Sequence, residues 1–201
     1  MPGSLVAVLG VVAALLSGLS IAMVVRHRRR RHARPELANA LDDRLADAMG
    51  PGTGSHLERS PAVRRIAVVD VDDGSRDEYP GDGDRQAIVP TVRVDFETTD
   101  APGMKLVLEY VADVLEAIQP ELEAREERVH RYDVEFTFGP GGLIVAGECR
   151  RVSVAPELAD RLLEDERYGA FELLRDVERA DRDDDSPTVL WDDCRSSVDP
   201  H

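Results

Sequence analysis

The sequence predicts an α+β protein: an N-terminal single transmembrane helix, then a small antiparallel sheet with helices on one face, in the order β-β-α-β-β-α. Three observations carry this. Residues 5–25 are an uncharged apolar run. Period-two alternation, clearest over Tyr132–Phe138, marks half-buried strands. Apolar stripes at helical spacing mark one long helical stretch between the strands and another after them.

The run LVAVLGVVAALLSGLSIAMVV, residues 5–25, would rise about 30 Å as a helix, the thickness of a bilayer's hydrocarbon core. A helix satisfies its own backbone polar groups, which lipid requires. Arg26, Arg28, Arg29, Arg30 and Arg31 follow at once, and no charged side chain precedes the run. The positive-inside rule then places the remainder of the chain in the cytoplasm, with the arginines snorkelling to lipid headgroups. A secretory signal peptide is the rival reading, with small residues around Ala22. Signal peptides carry their positive charge before the apolar run, so the retained anchor is preferred. Gly10, Ala14, Gly18 and Ala22 recur every four residues on one helix face. Small residues at this spacing let two spans approach closely, which predicts self-association in lipid.

Acids outnumber bases 40 to 25, for a net charge of -15. The first 34 residues hold six arginines and no acid, so the acidity is concentrated beyond the anchor. Such a domain repels nucleic acid, and none is expected as a partner. Lys105 is the single lysine. Arginine dominance combined with heavy Asp and Glu predicts a salt-adapted protein, because at molar salt the Debye length falls to about 3 Å and a dense acidic surface is screened. Cys149 and Cys194 belong to no CxxC pair or Cys/His cluster, and free thiols in a reducing compartment are expected.

Pro35 to Met49 reads as a short amphipathic helix with Leu37, Leu41 and Leu45 on one side. It could continue from the span, lie at the interface or pair with a copy. A Gly/Pro stretch from Gly50 to Ser55 follows as a linker. The organisation expected is an anchor over residues 1–25, a juxtamembrane segment over 26–61, an acidic folded domain over 62–179 and a flexible acidic tail over 180–201. Within the domain, strands are predicted at Val63–Val71 and Ala87–Thr98. A helix is predicted from about Pro102 to Arg131, with Asp100 as N-cap and a kink or restart at Pro120. A hairpin pairs Tyr132–Phe138 with a return strand over Leu143–Val154, turning at Gly139-Pro140-Gly141-Gly142. A bulge near Arg150 and Arg151 would reconcile the parity of Cys149 with that of Val152 and Val154. Helix resumes at Pro156, with a break at Tyr168-Gly169.

Candidate chemistry is sparse. Asp70, Asp72 and Asp73 are weak candidates for a hard cation, but their spacing is not that of an EF-hand loop, and a hydrated acidic loop is the plainer reading. His130, at the end of the long helix, is expected to act as a capping cation. Val189, Leu190 and Trp191, flanked by acids, either dock back on the domain as an edge strand or offer a linear motif to a partner. No catalytic residue and no cofactor is expected. The leading expectation is a membrane-anchored protein-interaction or accessory module that contacts lipid, itself and a protein partner. The alternative is a membrane-tethered enzyme or small-ligand sensor with a pocket in the α+β domain.

Overall fold

The computed structural model describes residues 34–52, 57, 59–71, 86–96, 98, 100–139, 147–183 and 186–194. The proposed span, its small-residue face and the arginines from Arg26 to Arg31 lie outside the described residues. Among the described residues no helix is long and apolar enough to cross a membrane.

The described elements are α1 (Pro35–Met49), β1 (Ala62–Asp70), β2 (Gln86–Asp95), α2 (Met104–Ala124), β3 (Tyr132–Phe138), β4 (Glu148–Val154), α3 (Pro156–Glu164), α4 (Ala170–Ala180) and β5 (Val189–Asp193). They form an α+β fold with one five-stranded sheet in the order β1-β2-β3-β4-β5. The sheet is mixed rather than antiparallel. β1–β2, β3–β4 and β4–β5 are antiparallel, whereas β2 and β3 are parallel. The connections explain this. One helix, α2, carries the chain back along the sheet, so the next strand starts at the same end as β2 did. Two helices, α3 and α4, carry it back and forth, so β5 runs against β4.

Residues of one parity on each strand face the helices. Val92 and Val94 of β2, Val134 and Phe136 of β3, and Val152 and Val154 of β4 are buried against Val107, Val111, Val114, Leu115 and Ile118 of α2. Removing each such side chain from water contributes about 1.5–3 kcal/mol. Leu37, Leu41, Leu45 and Met49 of α1 enter this same core. The helix thus shares one core with the sheet and α2. Asp42 Oδ1 accepts a hydrogen bond of 2.6 Å from the Val63 amide, and Arg44 pairs with Glu121 at 3.1 Å. Arg34, just before the helix, pairs with Glu127. Together these contacts fix α1 to β1 and to the far end of α2.

α2 runs through Pro120 without a break. The proline costs one backbone hydrogen bond, about 3 kcal/mol with its clash. The turns on either side carry Leu115, Ile118 and Leu122, all fully buried, and that packing holds the helix together. The helix begins at Met104, with Gly103 in the N-cap position and no side-chain cap. Asp100 is held elsewhere, its carbonyl accepting from the Thr98 hydroxyl at 2.9 Å. At the other end Glu126 adopts φ 56°. Its amide and that of Glu127 donate to Glu123 and Leu122, closing the helix with a left-handed residue that is usually glycine.

The β3–β4 register is unbroken from Phe138↔Glu148 to Tyr132↔Val154, so the bulge expected near Arg150 and Arg151 is absent from that pairing. Cys149 points away from the helices, and its parity needs no correction. The irregularity lies instead between β4 and β5, where Trp191 bulges out with φ 73°. The Trp191 ring lies 5.9 Å from that of Phe138, stacked, and 6.1 Å from that of Phe136. Val189, Leu190 and Trp191 thus form an edge strand of their own sheet, within the region expected to be a flexible tail.

The two cysteines are not free thiols. Register pairs Arg150 with Asp193, so Cys194 falls opposite Cys149, and the two form a disulfide with a Cα–Cα separation of 5.6 Å. The bond ties the end of β5 to β4 across a sequence separation of 45. Cys149→Ser with Cys194→Ser should lower stability by up to about 4 kcal/mol on chain entropy alone. Reduction of the wild type should red-shift emission from Trp191, the single tryptophan, as β5 frays. Emission and unfolding midpoint both indifferent to reduction would show that the bond does not hold the strand.

Candidate functional site

The face of the sheet turned away from the helices carries charge. Register places Arg93 of β2 beside Glu135 of β3, Glu135 beside Arg151 of β4, and Arg151 beside Asp192 of β5. The next row holds Arg65, Thr91, Asp133, Ser153 and Val189 across the five strands. Charges therefore alternate in sign along the first row, as cross-strand neighbours should. The centre of this layer is not a solvated surface. Asp133 is 1% exposed, Glu135 4% and Arg151 5%, and Thr91 and Ser153 are equally enclosed.

Glu135 Oε2 receives Arg64 Nη1 at 2.6 Å and Arg93 Nη2 at 3.0 Å. Arg64 reaches it because the β1 register shifts between Val63 and Arg65, turning the Arg64 side chain onto this face. Asp133 Oδ1 accepts from Ser153 Oγ at 2.7 Å and from Arg131 Nε at 3.0 Å. Arg151 Nη2 donates to Asp192 Oδ2 at 3.2 Å. Burial raises the Glu135 carboxyl above its ordinary range; Arg64, Arg65 and Arg151 pull the other way and Asp133 adds to the rise.

The layer keeps hydrogen-bonding capacity in reserve. The Nε atoms of Arg65, Arg93 and Arg151, Nη1 of Arg151, Oγ1 of Thr91 and Oδ2 of Asp133 are buried without a hydrogen-bond partner. Buried polar groups are nearly always paired, so this concentration on one face is unusual. Among the described residues, Arg65 takes part in none of the ion pairs of the face.

A second charged cluster is structural. Asp176 of α4 accepts from Arg161 of α3 at 2.8 Å, from Arg179 at 2.9 Å and from the Tyr168 hydroxyl at 3.2 Å. The Arg161 guanidinium lies 4.3 Å from the centre of the Tyr168 ring. Burial, with the Asp176 charge beside it, pushes the Tyr168 hydroxyl up to about 12. This clasp locks α3 against α4.

Among the described residues singled out from sequence, only Val189 stands on this face. Asp70 ends β1, paired with Gln86, while Asp72 and Asp73 lie outside the described residues. Glu135, Cys149 and Cys194 bring ligand-type atoms within 4.8 Å of one another. They do not suit a metal, because the two sulfurs are bonded to each other and two guanidiniums cap the carboxylate. His130 is not a capping cation. It lies beyond the end of α2, its amide donates to the Ile88 carbonyl at 2.9 Å, and burial, with Arg131 beside it, lowers its pKa. The signal for the charged face was present in the alternation of Arg131, Asp133 and Glu135 with apolar residues, and in the arginines of the neighbouring strands. Alternation is also the pattern of a solvent face, and only strand pairing brings the opposite charges together.

Comparison with protein-family profiles, with curated proteins and with solved structures finds no match for this chain.

Because the folded-state pKa of Glu135 is raised, its contribution to stability is complete below the unfolded carboxyl value, about 4.3. It is lost as pH rises through the folded value. The stability of the wild type relative to Glu135→Gln should therefore fall as pH rises above the ordinary carboxyl range, measured by urea unfolding at fixed ionic strength. A difference that grows with pH would show that the arginines outweigh burial.

Proposed function

We propose that the protein is a non-enzymatic binding module, held at the cell membrane by a single N-terminal helix, whose recognition surface is the charged face of its sheet. One observation carries the reading: Arg65, Arg93, Arg151, Thr91 and Asp133 bring buried hydrogen-bonding atoms without partners to that face. An unpaired buried donor costs about 1–3 kcal/mol, so a partner that supplies the missing contacts recovers that energy. The sequence supports the anchor, through the uncharged run of residues 5–25 and the arginines behind it. The Gly10, Ala14, Gly18 and Ala22 face supports self-association of the spans, which would present two such sheets side by side.

The test is photo-cross-linking in native membranes. A photoreactive side chain at Arg64 or Asp95, on the rim of the charged face, should capture a partner. One at Glu109, on the exposed side of α2, should not. Capture from Glu109 alone would move the recognition surface to the helices.

On the basic run, the domain lies in the cytoplasm. A second reading places it outside, and the Cys149–Cys194 disulfide favours it, since disulfides persist in oxidising compartments. Protease added to intact cells decides between them. The cytoplasmic placement predicts that residues 35–201 survive until the cells are permeabilised, and digestion of intact cells would establish the other.

A further inference from the structure

We propose that the charged face binds a phosphate group that still carries a proton, as the free ion or as a monoester, between Arg65, Arg93, Arg151 and Asp133. The inference rests on the charged face being the recognition surface, and it names the ligand that face would take.

The donors set the class. Spare N–H groups are offered by Arg65, Arg93 and Arg151, from three different strands. They are guanidinium nitrogens, whose planar donor sets match phosphate and carboxylate oxygens. The charges set the sign. Arg64, Arg65, Arg93, Arg131 and Arg151 gather on one face of a chain whose net charge is -15. Arg64 and Arg93 share the Glu135 carboxylate, Arg131 faces Asp133, and Arg65 remains outside these pairs. An anion completes this balance and a cation does not. Register sets Arg65, Thr91 and Asp133 as successive neighbours in one row, and Arg93, Glu135 and Arg151 as successive neighbours in the adjoining row.

Asp133 sets the selectivity. Its Oδ1 is engaged by Ser153 and Arg131, while Oδ2 is buried and unpartnered. A carboxylate oxygen accepts and cannot donate. A ligand resting between the arginines and Oδ2 must offer oxygens to the first and a proton to the second. Phosphate does both near neutral pH. Sulfate has the oxygens and no proton, and would leave two like charges facing each other. Arg151 is 5% exposed, so the ligand sits in a desolvated setting where such a mismatch is felt strongly.

Calorimetry on the full chain in detergent, with inorganic phosphate and sulfate at pH 7 and ionic strength held by KCl, tests this. Phosphate should bind saturably and at least tenfold more tightly than sulfate. Asp133→Asn, which replaces the acceptor with an amide able to donate, should close that gap while Trp191 emission shows the fold intact. Arg65→Gln should weaken phosphate at least tenfold, and Arg65→Lys less. Phosphoserine as a further titrant separates the sources: tighter binding than inorganic phosphate assigns a monoester, weaker binding the free ion. No saturable phosphate binding, or equal affinity for sulfate that Asp133→Asn leaves unchanged, overturns the proposal. Cross-links from Arg64 in a protein that binds no phosphate would sink this inference alone and leave the recognition surface standing.

Discussion

The parallel pairing of β2 with β3 is the constraint on which the rest of the molecule turns. It joins two antiparallel hairpins into one sheet, and it is enforced by the single crossover helix α2. Had the two strands met antiparallel, Arg93 would not lie beside Glu135, nor Thr91 beside Asp133. The core on one side and the charged layer on the other are set by this one register, because side chains alternate across a strand.

The two faces of the sheet are stabilised differently. On the helical side, apolar burial dominates, with α1 and α2 closing over Val92, Val134 and Val152. On the other side an ionic layer with a desolvated centre, Asp133, Glu135 and Arg151, is assembled at some cost. Buried ion pairs rarely stabilise a fold as well as hydrophobic residues of the same volume. The raised Glu135 pKa is the signature of that cost. A layer of this kind makes better sense as a recognition surface than as a source of stability, and this links the energetics of the sheet to the proposed binding role.

The disulfide and the edge strand belong to the same logic. β5 is short and bulged, and its only tryptophan sits in a left-handed conformation that a bulky residue seldom adopts. Stacking of Trp191 on Phe138, the Arg151–Asp192 pair and the Cys149–Cys194 bond together hold it in place. With β5 in position, Arg151 is enclosed at its outer side.

Taken alone, the amino-acid order determined what local chemistry determines. The helix at Pro35–Met49, the strand at Tyr132–Phe138 and the break at Tyr168-Gly169 were legible, since periodicity and turn residues act over a few positions. The α+β class followed from the same signals. Tertiary structure alone decided which strands pair and in what direction, because that depends on helices returning the chain across long separations. Those pairings put Cys194 opposite Cys149, drew α1 into the core, carried α2 through Pro120 and buried Asp133 and Glu135 among arginines. A charged residue in an alternating strand looks the same from its neighbours in sequence whether water or a guanidinium lies across from it. For Glu135 the difference is made by Arg64 and Arg93, from two other strands and far from it in sequence.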